Sequence, residues 1–317
     1  MLQNIIAKAV ETLKSGGLVG LPTETVYGLA ADAGNEDALR KIFLAKKRPI
    51  DHPVIVHIAE ISQLDRWTKN IPDDALKLAK AFWPGSLTLI LQKADKVSKI
   101  VTGGQDTIGV RIPNHPITLE ILKKFSGGVA APSANRFGHI SPTTALAVKE
   151  ELGEVIDLIV DGGQCKVGVE STIIDLSSNE PVILRPGMIT QDQIERILNK
   201  KVLLKQKDSP RVSGSLDSHY APTTKTKLLN KKDLLAYVEG SSDSLALLLL
   251  GSDLFIDKSN AKSFYMSQNP HNYAKDLYKT LREIDKQNFQ EILIEDVPDD
   301  LSWHGVRDRI TRASSSS

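Results

Sequence analysis

Two periods of apolar spacing run through the chain. Ile6, Val10 and Leu13 recur at helical spacing, with charges every few residues, so the start reads as an amphipathic helix, not a leader. Leu18-Val19-Gly20-Leu21 follows as a strand that meets Pro22 and then Thr23, Glu24, Thr25 and Tyr27, four polar-tipped side chains between apolar segments. Such a cluster is costly to bury unless something occupies it. Asn35 caps a helix with Glu36 and Asp37 in its first turn and Leu39, Ile42 and Phe43 along its apolar stripe, ending at Pro49. Strands are expected over 53–58, 87–91, 107–112, 129–131, 156–160, 171–176 and 182–184, with a helix from Asp73 to the Trp83-Pro84-Gly85 turn. Thr190 and Gln193 form a capping box for a helix through Leu198.

The character changes at Lys205. Residues 205–224, KQKDSPRVSGSLDSHYAPTT, are rich in Ser, Pro, Gly and charge and read as a linker, with Ser209 to Pro222 a mobile lid. Beyond it come a strand at Leu245–Leu250, a helix near Asn272–Asp285, a strand at Glu291–Glu295 and a helix near Val306–Arg312. The expected organisation is a domain over 1–204, the linker over 205–224, a smaller domain over 225–313 and a disordered tail over 314–317. Alternation of strand and helix makes the class α/β.

Composition narrows the function. The 317 residues are 41% hydrophobic and 25% charged, with 40 Lys+Arg against 39 Asp+Glu, so a dedicated nucleic-acid binder is disfavoured. Aromatics, at 5%, are too few for a broad base-stacking platform. A single cysteine, Cys165, excludes an internal disulfide and a cysteine-based zinc cage and fits a reducing cytosol. No apolar run approaches the roughly 18 residues of a membrane span, so the expectation is a soluble, cytoplasmic protein with no membrane partner. The common phosphate loops, G-x-S-x-G and H-E-x-x-H are all missing, so neither a covalent nucleophile nor a protein-held metal is announced.

Several strand ends still carry chemistry. In TIGVRIP, alternation puts Ile108, Val110 and Ile112 on one face and Thr107, Gly109 and Arg111 on the other. A buried Arg111 needs a partner: either an internal carboxylate or an anionic ligand. His57 is either a hydrogen-bonded core histidine or a functional one, and Lys46-Lys47-Arg48 either complements a helix dipole or serves a ligand. In VAAPSANRFGHISPTT, small residues lead to Ser133 and Asn135, and Ser141-Pro142 is expected to cap and open a helix. The stretch is either an ordinary loop with a capped helix or a place where small residues admit a ligand and the helix end seats a phosphate. VGVESTIIDL and PVILRPG repeat the pattern with Ser171 and Arg185. Together these suit a pocket for a small zwitterion and a phosphate-bearing partner, working by positioning and charge.

These stretches resemble the threonylcarbamoyl-AMP synthase family, the YrdC-like fold, in its long form. LPTETVYGLAADA, KKRPIDHPVIVHI, FWPGSLTLIL, TIGVRIPNHP, APSANRFGHISPT, GVESTIIDL and ILRPG occur in the family's order, SHYAP resembles its linker, and NYAKDLYKTLREID and GVRDRITRAS resemble its carboxy-terminal domain. The resemblance implies a twisted mixed sheet with an open cavity over 1–204 and a Rossmann-like domain over 225–313. It implies conversion of L-threonine, bicarbonate or CO2, and ATP with Mg2+ into threonylcarbamoyl-adenylate and pyrophosphate. A downstream transferase complex then modifies tRNA adenosine next to the anticodon, with a weak direct RNA contact admitted. By position it implies threonine binding by Thr25, His57, Arg111, Ala131 and Ser171. ATP would be bound by Lys46, Arg48, His52, Thr107, Ser133, Asn135, Ser141, Arg185 and Tyr220, with Lys46, Arg48 and Arg111 catalytic. The competing reading is an RNA-binding module without catalysis, which the near-neutral charge disfavours as the primary role.

Overall fold

The computed structural model describes residues 2–205, 209–214, 219–254 and 256–315. From the amino terminus, α1 (Leu2–Lys14) leads to β1 (Val19–Leu21), β2 (Gly28–Asp32), α2 (Glu36–Lys46) and β3 (Ile55–His57). Next come α3 (Asp73–Phe82), β4 (Leu87–Gln92), the single turn α4 (Lys99–Thr102), β5 (Thr107–Arg111), α5 (Pro116–Phe125) and β6 (Val129–Ala130). Then follow α6 (Ala145–Leu152), β7 (Leu158–Ile159), β8 (Thr172–Asp175), β9 (Val182–Arg185), α7 (Gln191–Leu198) and β10 (Leu203–Leu204). The remainder is β11 (Lys225–Leu229), α8 (Lys231–Gly240), β12 (Leu245–Leu250), β13 (Ala261–Met266), α9 (Pro270–Asp285), β14 (Glu291–Glu295) and α10 (His304–Ser314).

The first ten strands form one mixed sheet in the order β10-β9-β8-β4-β5-β3-β6-β2-β1-β7, and the last four a separate sheet in the order β11-β14-β12-β13. Every pairing in the smaller sheet is parallel, as a Rossmann-like unit requires. Period-two alternation in β5 works as expected: Ile108, Val110 and Ile112 join the main apolar core, while Gly109 and Arg111 face the other way. Register sets His57 beside Arg111 and Arg185 beside Ile173, where a bulge interrupts the ladder.

Helix ends show local sequence at work. Asn35 accepts from the amides of Asp37 and Ala38, and α2 stops where Lys47 turns left-handed at φ 52°, which sends Lys46 and Arg48 inward. The Thr190–Gln193 capping box is present. The helix expected at Ser141-Pro142 instead begins at Ala145, capped by Thr144, whose hydroxyl accepts from Ala147 N at 3.2 Å. Ser141 is unavailable as a cap because it donates to Glu170, and the Pro142 carbonyl accepts from Tyr27 N. Ser314 belongs to α10 and not to a tail, and Ser316 and Ser317 lie outside the described residues.

The expected linker is packed where it is described. Val212 lies in a cluster with Ile90, Ile173 and Leu184, and His219 and Tyr220 are buried. Residues 206–208 and 215–218 fall outside the described residues. Among the described residues no helix is long and apolar enough to cross a membrane.

Candidate active site

One face of the large sheet opens into a cavity with about 530 Å³ of atom-free space, its mouth included. Its walls come from the β1–β2 loop (Thr23, Thr25, Val26), the ends of β3 and β5 (His57, Arg111), the segment after β6 (Ala131, Ser133), and Glu170, Ser171 and Arg185 around β8 and β9. Ser213, Gly214, His219 and Tyr220 close it from the linker side.

Arg111 is spoken for by the protein itself. Its guanidinium donates to Glu24, to Thr25 Oγ1 at 3.0 Å and to the Gly85 carbonyl at 3.0 Å, and the Arg111–Glu24 pair is buried. Glu24 is held in turn by Asn114 N at 2.9 Å. The internal-carboxylate reading of Arg111 is therefore correct as to its partner, yet the side chain still faces the cavity. Three of five N–H groups are used, leaving two for a ligand.

Two cations outside any close ion pair lie elsewhere on the wall. Arg48 donates to the Pro53 carbonyl at 2.8 Å and Ser213 Oγ at 3.2 Å; Arg185 donates to Ser171 O and Oγ, both at 3.1 Å, and to Ser213 O at 2.9 Å. Neither makes an ion pair among the described residues, although both are buried. Burial pulls the Arg48 guanidinium down to about 10, with the Arg185 charge adding to the pull, and burial likewise lowers Arg185. Two adjacent buried guanidinium groups whose hydrogen bonds go only to neutral groups, with Glu170 offsetting part of the Arg185 charge, create a demand for an anion.

Four of the ten buried side-chain atoms without a hydrogen-bond partner among the described residues belong to this wall. Arg48 Nε, His57 Nδ1, His219 Nδ1 and Tyr220 Oη are buried without a hydrogen-bond partner, and all four residues line the cavity. Native interiors leave few such atoms, so the cluster marks where a polar ligand would complete the structure. Burial brings His57 down to about 3, with the Arg111 charge contributing, and brings His219 to about 3, so both are neutral at pH 7. Glu170 is the opposite case. Burial would raise it, but Arg309 and Arg185, with donors Ser141 and Arg309, hold it at about 2.

Of the residues singled out in the sequence, Thr25, Arg48, His57, Arg111, Ala131, Ser133, Ser171, Arg185 and Tyr220 meet at this cavity. Lys46 is fully buried behind it, its ammonium donating to the carbonyls of Ser133 (2.6 Å) and Asn135, so it braces that loop; burial pushes its pKa well down. Asn135 donates to the Arg136 and His139 carbonyls, each at 2.8 Å. Ser141 faces Glu170, not the cavity. His52 stands edge-on to Phe137, and Thr107 lines a neighbouring cleft beneath Arg211, Val212 and Ser213. Tyr27 also points away, accepting from Gly162 N and donating to the Gly163 carbonyl. The expectation that the Thr23-to-Tyr27 stretch forms a wall holds for Thr23, Thr25 and Val26, while Glu24 as the Arg111 partner, Ser213, His219 and the supporting Arg309 were not foreseen. SHYAP held a signal for His219, which adjoins Tyr220.

Fold and site together define an α/β protein with an open, cation-lined cavity suited to anions and bordered by the segment that joins its two sheets. Comparison with known proteins narrows this. A family model described as "Telomere recombination" matches residues 11–187, and one described as "Threonylcarbamoyl-AMP synthase, C-terminal domain" matches 189–315. The chain is 39% identical to the threonylcarbamoyl-AMP synthase of Pyrococcus abyssi, covering 95% of this chain and 92% of the relative. It is also 39% identical to that of Bacillus subtilis, over 98% and 92%. A crystal structure of P. abyssi Sua5 complexed with L-threonine superposes with a TM-score of 0.90 at 36% identity, over 99% of this chain and 95% of that one. The chain belongs to the threonylcarbamoyl-AMP synthase family.

Proposed function

We propose that this protein is a threonylcarbamoyl-AMP synthase, a nucleotidyltransferase that makes L-threonylcarbamoyladenylate and pyrophosphate from L-threonine, bicarbonate or CO2, and ATP. The observation that carries it is the pairing, in one cavity, of Arg48 and Arg185, cations without ion-pair partners, with a cluster of orphaned polar atoms. Threonine lies at the Thr25, His57, Arg111, Ala131 and Ser171 wall, its carboxylate taking the two N–H groups that Arg111 has left, its charge balanced by Arg48 and Arg185. His57, neutral, hydrogen-bonds without adding charge. ATP lies toward Arg48, Ser133, Arg185 and Tyr220. Lys46 and Asn135 hold the Ser133 loop, and Ser141 acts through Glu170. His52 and Thr107 would reach nucleotide only at the cavity's edge.

The chemistry then needs no protein nucleophile. The threonine amine adds to CO2 and loses a proton, giving a carbamate. A carbamate oxygen attacks the α-phosphorus in line, the bond to the bridging α–β oxygen breaks, and pyrophosphate leaves with the electron pair. Arg48 and Arg185 spread the developing charge, as phosphoryl and nucleotidyl transfer by positioning requires. Mg2+ travels with the phosphates. Glu170, the carboxylate on the cavity wall, already accepts from Ser141, Tyr278 and Arg309, so its oxygens are poor candidate ligands. The product passes to a tRNA-modifying transferase complex; the work is cytoplasmic, and direct RNA contact is weak.

The test is pyrophosphate release from ATP. It is expected to require L-threonine and bicarbonate together; equal release with serine, or with no amino acid, would refute the assignment.

A further inference from the structure

Glu170 sits on the cavity wall one residue before Ser171, yet two of the groups that hold it come from the smaller sheet's helices. Tyr278 of α9 donates to Glu170 Oε2 at 2.9 Å. Arg309 of α10 donates Nε to the same oxygen at 2.8 Å and Nη2 to the Glu170 backbone carbonyl at 3.1 Å. Its Nη1 reaches the carbonyl of Pro186, next to Arg185, at 2.8 Å. One guanidinium thus ties together two wall segments that are not contiguous in sequence. Arg309 is 0% exposed, and its guanidinium carbon lies 5.3 Å from the Tyr220 ring centre.

The backbones close in around this bridge. A Cβ on Gly305 of α10 would lie 2.7 Å from the Gly187 carbonyl, and one on Gly168, at φ 84°, would lie 2.4 Å from the Ala274 carbonyl of α9. Only glycine permits approaches this close. Asp308 also accepts from Arg309 at 2.7 Å but is shared with Arg312 at 3.0 Å, so that neighbouring pair is balanced. What remains is a carboxylate facing a cavity whose other lining charges, Arg48, Arg111 and Arg185, are all cationic. Left uncompensated, it would repel a polyphosphate.

We propose that Arg309 serves the nucleotide by cancelling the Glu170 charge on the cavity wall, making the carboxy-terminal helices part of the ATP site. This rests on the reading of the cavity as the ATP and threonine site. The experiment compares wild type, Arg309→Met, Arg309→Lys and the double variant Arg309→Met/Glu170→Gln by steady-state pyrophosphate release, with KM for ATP and for threonine measured separately. Arg309→Met is expected to raise KM for ATP at least tenfold while changing that for threonine less than threefold, and the double variant is expected to return KM for ATP to within threefold of wild type. A double variant as impaired as the single one would overturn the proposal, because a purely structural role is not rescued by removing the opposing charge. Should Arg309→Met fail to fold, Arg309→Lys carries the test: it keeps the charge and is expected to keep KM for ATP within threefold, and a tenfold rise would overturn the charge argument. A wild-type chain with no threonine- and bicarbonate-dependent release would instead refute the functional reading, and the proposal with it. An active wild type with an unresponsive Arg309→Met would refute only the proposal.

Discussion

Burying a guanidinium whose hydrogen bonds go only to carbonyls and hydroxyls is a cost that folding alone does not recover, and Arg48 and Arg185 both bear it. Their placement makes sense if a polyanion completes them. A hydrogen bond involving a charged group contributes roughly 1.5–3 kcal/mol, so Arg185→Ala is expected to raise KM for ATP about ten- to hundredfold in the pyrophosphate assay, with the fold intact. Arg111 behaves differently because Glu24 already balances it. Arg111→Ala strands a buried carboxylate and is expected to lower unfolding free energy by about 3–5 kcal/mol in urea titration, besides weakening threonine use. An Arg111→Ala protein as stable as wild type would contradict the pairing. Strand alternation correctly put Arg111 on the functional face, but its partner lies 87 residues earlier in the chain, a distance no local pattern spans. The same limit applies to Lys46: its type and position were legible, while the carbonyls it binds belong to a loop that reaches it only in the folded chain.

Among elements, the strongly periodic ones were legible: α2, α9, β5, β12 and β14 follow the expected spacing closely. Short or weakly patterned pieces were not, and β2, β10, β11, β13, α5 and α8 carried no distinct expectation. Gly28-Leu29-Ala30-Ala31 is buried throughout and shows no alternation, so its strand character depends on pairing with β1 and β6. The start of α6 was misplaced for a different reason. Ser141-Pro142 satisfies the local rule for a helix start, but a buried carboxylate outcompetes the helix for the serine hydroxyl. Thr144 takes the role, so Thr144→Ala is expected to cost about 1 kcal/mol of stability by chemical denaturation. A cost below a few tenths would show that its cap is not holding the helix.

The whole molecule backs one cavity of the large sheet with helices from the smaller one, through their contacts to Glu170, and the groups buried there also set its response to acid. His57 and His219 are neutral in the fold, at about 3, but near 6.5 in an unfolded chain. Below pH 6.5 the unfolded chain takes up protons that the folded one refuses, so stability falls as pH drops from about 6.5 toward 3. Glu170 and Glu151, held at about 2, add a second loss as pH falls from about 4.5 toward 2. Urea unfolding at pH 5.5 is expected to show about 2–3 kcal/mol less stability than at pH 7.5 from the two histidines, and a flat profile would contradict their neutral burial. The family and its two-part layout were visible in ordered motifs, whereas the support that α9 and α10 give to a wall residue was not, because Arg309 and Tyr278 gain meaning only beside Glu170. The most direct test of the central claim is mass spectrometry of the product formed from ATP, L-threonine and carbon-13 bicarbonate. The account predicts threonylcarbamoyl-adenylate carrying one heavy carbon in its carbamoyl group; an adenylate of threonine without that carbon, or no adenylate at all, would contradict it.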